Sequence, residues 1–309
     1  MQVLEGLSHF PSFSRPTAVA IGNFDGLHLG HQKILRFLVE RAKKSRVHSL
    51  VLTFSPHPEK VLGQRSVAMI QTLSQRLAGI KEHGVQAVLV TAFDRTFSSL
   101  SSREFVQKVI VSACQAREVV VGENFRFGRN RAGDIKDLHR LGSRFGFVVH
   151  AIPAVRHDGQ IVSSSFIRLL LAEGKIEKAN VFLGRPYEIE GRVIKGAARG
   201  KSLGFPTTNI LTANEIVPEG VFVTEAGIQG QTYPSVTNIG TRPTFGEDKL
   251  QIESFLFNFQ GNVYRKKIRL HFLKKLRAER KFVSAPALIN QIQRDISAAK
   301  DYFSRAYGE

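Results

Sequence analysis

The densest chemistry in this chain lies between Gly22 and His31, which reads GNFDGLHLGH. The run follows a β-rich segment and opens a helical one. A helix start there aims backbone N–H groups at an anion. His28 and His31 are three apart, so both imidazoles can share one face of the first turn. Gly30 lets a ligand come close to the backbone. Two imidazoles at such a place can donate hydrogen bonds to charge developing on an α-phosphate and a leaving pyrophosphate. Unrelated surface histidines near a turn are the plainer reading. Zinc is weaker, because H-x-x-H stands here without cysteine partners.

Four further segments could carry chemistry. Val162 to Arg168 reads VSSSFIR. Its hydroxyls read as an N-cap alone, or, with Arg168 one turn into the helix, as part of a phosphate clamp. Gly122 to Gly128 (GENFRFG) follows a strand, at the sheet edge where parallel folds bind ligands; a surface loop is the alternative. Gly191 to Asn209 reads GRVIKGAARGKSLGFPTTN. GAARGKS imitates a P-loop, but three residues separate its glycines where four are required, and Phe205 and Pro206 follow instead of a helix. A glycine-rich flap over a nucleotide fits better, with Thr207 and Asn209 offering oxygen ligands that suit Mg²⁺. A plain glycine-rich turn stays open. Glu253 lies in the apolar run QIESFLFNF. Such an acid usually faces solvent; pointed into a barrel, it would accept a proton from a hydroxyl nucleophile.

These segments need elements to hold them. Thr17–Phe24, Val47–Phe54, Val85–Phe93, Glu118–Val121 and Phe147–Val155 read as strands. Between them Gln32–Ser45, Thr72–Gly84, Ser102–Ala116 and Ile135–Phe145 read as helices. That alternation predicts βαβ units and a parallel sheet. Ser164–Phe182 reads as one long helix that ends the pattern. After Gly184 short runs punctuated by Gly, Pro and Thr take over: Tyr187–Ile194, Phe205–Ile210, Gly220–Gly227, Gln251–Phe259 and Val263–Phe272. They predict a small all-β barrel. A helix over Ala285–Phe303 follows, with Ser284 as its N-cap. The expected domains are 1–183 and 184–309.

Composition bounds the rest. The chain has 309 residues, 42% of them hydrophobic, which is ample for two cores. Its one cysteine, Cys114, excludes an intrachain disulfide and fits a reducing compartment. No stretch is long and apolar enough for a membrane span, and no secretory signal opens the chain. A cytoplasmic protein is expected. The net charge is +18. It is spread over both halves, with 25 basic and 14 acidic residues up to Gly184 and 19 and 12 after it. Arg265 to Lys281 holds nine basic residues and one acidic. Because Val263–Leu273 partly alternates, many of these charges read as a solvated strand face; the rest suit anionic ligands. Nucleic acid is not expected despite the charge, and self-association stays open.

Together the segments resemble the bifunctional riboflavin kinase/FMN adenylyltransferase family over nearly the whole chain. GNFDGLHLGH, TFSPHP (53–58), GENFRFG, RAGD (131–134) and SSSFIR match the transferase half. LGRPYEIEGRVIKGAARGKSLGFPTTN (183–209), NIGTRPTF (238–245), IES and LRAERKF (276–282) match the kinase half. The resemblance implies a Rossmann-like nucleotidyltransferase domain followed by a riboflavin kinase-type β-barrel with a terminal helix. It implies ATP as co-substrate, Mg²⁺, and riboflavin, FMN and FAD as substrates and products. His28, His31 and Arg168 would serve adenylyl transfer, and Glu253 would be the general base of the kinase. Gly22, Asn23, Phe24, Gly30, Ser164 and Ser165 would hold ATP phosphates, as would Gly191, Lys195, Gly196 and Gly204 in the kinase half. Asn124 and Arg277 would lie near flavin, and Thr207 and Asn209 at the metal. Departures from the family pattern cluster in the kinase half: Lys201, Thr208, Phe255, Asn258 and Arg265. They leave an alternative, a single-function FMN adenylyltransferase with a degenerate barrel. An RNA-binding H-x-G-H relative is the alternative from another class.

Overall fold

The computed structural model describes residues 1–6, 15–63, 67–196, 204–244 and 247–308, with the backbone alone over 242–244 and 247–249. Residues 197–203, which hold Lys201 and all of the P-loop-like GAARGKS but Gly196, lie outside the described residues, as does Phe245 of the NIGTRPTF motif. The chain divides into two compact units, 1–68 with 73–164, and 69–72 with 165–309.

The first unit is built on six strands: β1 (Gln2–Glu5), β2 (Thr17–Ile21), β3 (His48–Phe54), β4 (Ala87–Thr91), β5 (Ala116–Gly122) and β6 (Val148–Ile152). They form one sheet in the order β1-β4-β3-β2-β5-β6, and every ladder in it is parallel. All five residues of β2 and all five of β4 are buried. A parallel sheet covered on both faces needs such continuous apolar strands. Alternate residues feed two cores: Val19, Leu50, Leu52, Leu89 and Val119 on one face, and Ala18, Ala20, Val51, Val88 and Val120 on the other.

The helix Leu29–Ser45 buries Leu35, Leu38 and Ala42 against the second core. Ser102–Ala116 is not the regular helix that the spacing predicts. It is one α turn, Ser102–Glu104, running into a π-helix, Phe105–Ala113, and Ala116 already belongs to β5. The strand claims Ala116 because its backbone pairs with Thr17. Burial pushes the Cys114 thiol up to about 12, so this cysteine is an inert packing residue. A two-strand ribbon, β7 (Arg156–His157) and β8 (Gln160–Ile161), closes this unit.

In the second unit the predicted long helix is two, Ser164–Ala172 and Ile176–Leu183. Gly174 between them has φ +67, a left-handed conformation that no α-helix interior can hold. From Ser165 onward both helices fall in the same unit as the barrel. The barrel comprises β9 (Tyr187–Ile194), β10 (Thr208–Thr212), β11 (Gly220–Ile228), β12 (Gln231–Thr244), β13 (Glu247–Leu256) and β14 (Lys267–Arg277). It is closed and antiparallel, in the order β10-β13-β12-β11-β14-β9. Phe222, Phe272 and Tyr187 fill it, with a ladder of buried hydroxyls beside them. Thr224 Oγ1 lies 2.8 Å from Ser235 Oγ and 2.6 Å from Thr237 Oγ1, which lies 3.0 Å from Ser254 Oγ.

β14 alternates as its sequence predicts, with Ile268, Leu270 and Phe272 inside and Lys267 and Arg269 exposed. Ser284 caps the terminal helix Ala285–Tyr307. That helix packs Ala299 and Phe303 onto Val221, Val223 and Val236, on the outer face of the barrel.

Candidate active sites

The first candidate site sits at the C-terminal edge of the parallel sheet. β2 runs between β3 and β5; the chain passes from β2 to β3 on one side and crosses back from β4 to β5 on the other. Such a switch point opens a crevice above the strand ends. GNFDG follows β2, SPHP follows β3 and GENFRFG begins at the end of β5, so three of the predicted motifs converge there.

The loop from Gly22 to His28 is held tightly. Gly22 N–H donates to the Leu52 carbonyl at 3.1 Å. Phe24 and Leu27 are buried, and both take positive φ, at +51 and +42. Neither is glycine, so each stores backbone strain of about 1–3 kcal/mol. The Asn23 amide lies 2.9 Å from His57 Nε2. Ser164 Oγ donates to the Asp25 carbonyl at 2.8 Å, tying the SSSFIR segment to the loop.

His28 is the N-cap of the helix Leu29–Ser45, and its Nδ1 accepts from the His31 N–H at 3.3 Å. That bond fixes a tautomer: with Nδ1 accepting, the proton of the neutral ring sits on Nε2, which becomes a donor. The two rings stack with centroids 3.7 Å apart and planes 16° apart. Gly30 is small for a visible reason, because a Cβ there would stand 3.1 Å from the His28 ring. Asn124 is exposed in the loop after β5. Ser165, exposed, and Arg168, half-buried, lie on the helix Ser164–Ala172 in the second unit.

The second candidate site is a row across the barrel. Asn209 on β10 pairs with Glu253 on β13, and Glu253 pairs with Asn238 on β12. Asn238 pairs with Val221 on β11, and Val221 with Arg277 on β14. Partners in register share a face, and Val221 packs under the terminal helix, so the row lies on the outer face. Glu253 therefore does not point into the barrel. The barrel interior is taken by its neighbours Ile252 and Ser254, both buried, while Glu253 is half-buried on the other side. At about 4.8 Å per strand, Glu253 and Arg277 stand roughly 14 Å apart. Thr207 precedes β10 by one residue and Asn209 by two.

The glycines of the kinase half divide by role. A Cβ on Gly196 would overlap the Asn209 amide, so this glycine makes room for a predicted ligand. Gly191 is a packing residue, where a Cβ would overlap the Leu211 carbonyl and stand 2.7 Å from Ile210 Cγ2. Gly204 turns the chain at φ +85, and Lys195 is exposed just after β9. Arg277 is anchored rather than open. Its Nε and Nη2 reach the Asp295 carboxylate at 3.1 and 2.8 Å, and its Nη1 reaches the Ala278 carbonyl at 3.1 Å. A cleft of about 830 Å³ adjoins this end of the row, lined by residues including Gly174, Pro218, Glu219, Thr241, Lys275 and Ala278.

Comparison with known proteins agrees with both halves. The FAD synthetase family model matches residues 10–166 and the riboflavin kinase model matches 183–303. A bifunctional riboflavin kinase/FMN adenylyltransferase of Pseudomonas fluorescens is 38% identical, over 97% of each chain. That of Escherichia coli K12 is 33% identical, over 98% of each. The chain belongs to the bifunctional riboflavin kinase/FMN adenylyltransferase family. A crystal structure from Streptococcus pneumoniae, described as a macrolide-efflux protein, superposes with TM-score 0.89 at 27% identity over 97% of this chain and 99% of the other. Among the described residues, no helix is long and apolar enough to cross a membrane.

Two residues of these sites receive no role from the sequence. Asn238 opens the NIGTRPTF motif, but only strand register places it opposite Glu253. Arg76, on the helix Leu73–Glu82, is 2% exposed and donates to the carbonyls of Asn23 and Phe54. Its helical context gave no reason to single it out.

Proposed function

We propose that this protein makes FAD from riboflavin in two steps, at two sites on one chain, with residues 1–183 serving the second step and 184–309 the first. The observation that carries this is the contrast between the sites. The barrel row holds a carboxylate beside an amide, and the sheet-edge site holds paired histidines at a helix start.

In the kinase step Glu253 accepts the proton of the riboflavin 5′-hydroxyl. The freed oxygen attacks the γ-phosphorus of ATP and ADP departs, leaving FMN. Asn238 is the cross-strand neighbour of Glu253. Thr207 and Asn209 are hydroxyl and amide oxygen donors, a hard-ligand set that would hold Mg²⁺. The ion would supply charge neutralisation for the triphosphate. The cleft beside Arg277 is the seat proposed for the flavin ring.

In the transferase step a phosphate oxygen of FMN attacks the α-phosphorus of ATP and pyrophosphate departs. No proton has to be removed, so positioning and charge stabilisation suffice. His28 Nε2–H and His31 donate toward the oxygens on which charge builds. Gly22, Asn23, Phe24 and Gly30 line the phosphate approach. Ser164, Ser165 and Arg168 steady the phosphates, and Asn124 meets the flavin. Both reactions draw on cytoplasmic ATP, which suits a cytoplasmic enzyme.

The test is incubation of the purified chain with riboflavin, ATP and Mg²⁺, followed by chromatographic separation of the flavins. FMN and then FAD are expected. A second reading, an adenylyltransferase with a barrel that only holds flavin, is motivated by Phe255. This residue stands beside Glu253 and packs against Phe205 and Phe257, with centroids 6.1 and 5.7 Å away. FAD from supplied FMN, with no FMN from riboflavin, would establish that reading instead.

A further inference from the structure

The sheet-edge loop is shaped from behind by one helix, Leu73–Glu82. Arg76 Nη1 donates to the Asn23 carbonyl at 2.6 Å, and its Nη2 to the Phe54 carbonyl at 3.1 Å. These carbonyls stand at the C-terminal ends of β2 and β3, so one guanidinium bridges the two strand ends from which the site opens. Thr53 Oγ1 adds a second bond to the Asn23 carbonyl at 3.1 Å. One helical turn on, Gly79 faces the same loop, and a Cβ there would overlap the Leu27 side chain.

Arg76 is only 2% exposed and cannot itself reach a nucleotide. Burial lowers its pKa from the ordinary arginine value, and the neighbouring Asp25 carboxylate opposes that shift. A guanidinium this deeply buried needs fixed partners, and among the described residues it donates to the two carbonyls that define the loop.

The consequence follows from peptide geometry. In a trans peptide the C=O and N–H point in opposite directions. Pulling the Asn23 carbonyl toward Arg76 turns the N–H of Phe24 away from it, and holds Phe24 at φ +51 against its strain. We propose that Arg76 is a positioning residue for adenylyl transfer, pinning the Asn23–Phe24 peptide so that its N–H faces the ATP phosphates. The inference rests on the adenylyltransferase reading of this site. Without the clamp, Phe24 relaxes toward negative φ, the peptide swings and a phosphate donor is lost. Gly79 supports the same geometry by leaving space for Leu27.

The experiment compares wild type, Arg76→Met and Arg76→Lys in full-length protein. It measures FAD formation from supplied FMN over a range of ATP, with riboflavin phosphorylation on the same chain as an internal control of folding. Arg76→Met should lower kcat/KM for ATP at least ten-fold, mainly through KM, as expected when phosphate binding is lost in ground and transition states alike. Phosphorylation should stay within two-fold of wild type. Arg76→Lys, which keeps the charge and one bond, should recover at least half of the loss on a logarithmic scale. Should Arg76→Met not accumulate as folded protein, Arg76→Gln, which removes the charge and the forked donor, takes its place with the same expected rise in ATP KM. An ATP KM within two-fold of wild type in Arg76→Met, or in Arg76→Gln where it stands in, overturns the clamp while leaving the activity reading intact. Equal losses in Arg76→Lys and Arg76→Met also overturn it. Wild type that makes no FAD from FMN overturns the activity reading, and the clamp's catalytic role with it.

Discussion

Removing Asp295 should unfasten the terminal helix from the barrel, by an amount that the structure bounds. Asp295 is 6% exposed and takes Arg277 through Nε and Nη2, with Gln291 Nε2 adding a bond at 2.8 Å. Breaking a buried ion pair by deleting one partner costs about 3–5 kcal/mol, because the other charge is stranded. Arg277 retains 19% side-chain exposure, so water recovers part of that cost and the lower end, about 3 kcal/mol, is expected for Asp295→Ala. The unit that contains the pair spans roughly 150 residues, for which 1 kcal/mol moves Tm by about 2–4 °C. The melting temperature of the barrel should therefore fall by about 6–12 °C. Calorimetry of the full-length chain reads this, and residual riboflavin phosphorylation after heating identifies the barrel transition. A double-mutant cycle with Arg277→Ala should give a coupling of at least about 1.5 kcal/mol. A shift under about 2 °C in Asp295→Ala, or strictly additive losses in the double mutant, would refute the idea that Arg277 is first of all an anchor.

Two more predictions address the other unit. His31→Ala removes one of the stacked rings and should lower FAD formation from FMN by about 10²–10³-fold; unchanged turnover in that variant would remove His31 from the chemistry. The third concerns Glu118, which is 4% exposed and bonded by Arg41 Nε at 2.8 Å, His150 Nε2 at 2.7 Å and Ser45 Oγ. Burial pushes its carboxyl up, but these hydrogen bonds outweigh burial and hold its pKa below the ordinary value. A depressed folded pKa gives stability that is full above the unfolded value of about 4.3 and is lost as pH falls through the folded one. The Tm gap between wild type and Glu118→Gln should accordingly narrow from pH 6 to pH 3, and a constant gap would contradict it.

The parallel sheet was legible because its strands are buried on both faces, and runs such as TAVAI and AVLVT announce that directly. β12 escaped notice for the opposite reason. Its inward residues include Ser235 and Thr237, which are buried as a hydroxyl ladder, so no apolar alternation marks the strand. Pro234 and Gly240 interrupt its pattern further. β1 is short and largely exposed, and carries little signal. The break at Gly174 hid inside a helical period, since periodicity does not register a single left-handed residue.

The loops of the site were readable from local motifs. The supports were not, because Arg76, Asn238 and Asp295 act through partners that only the fold brings near. His28 lies between these cases: its spacing from His31 was plain, whereas the tautomer fixed by the N-cap bond required the structure.

The separation of two chemistries on one chain is tested most directly by Glu253→Gln, which keeps the shape of the side chain and removes its basicity. Both reactions are measured on the same preparation: FMN from riboflavin, and FAD from supplied FMN. Loss of a positioned base should slow FMN formation by about 10²–10⁴-fold while FAD formation keeps its wild-type rate. An unchanged kinase rate, or parallel loss of both activities, would contradict the assignment of the hydroxyl-activating step to the row on the outer face of the barrel.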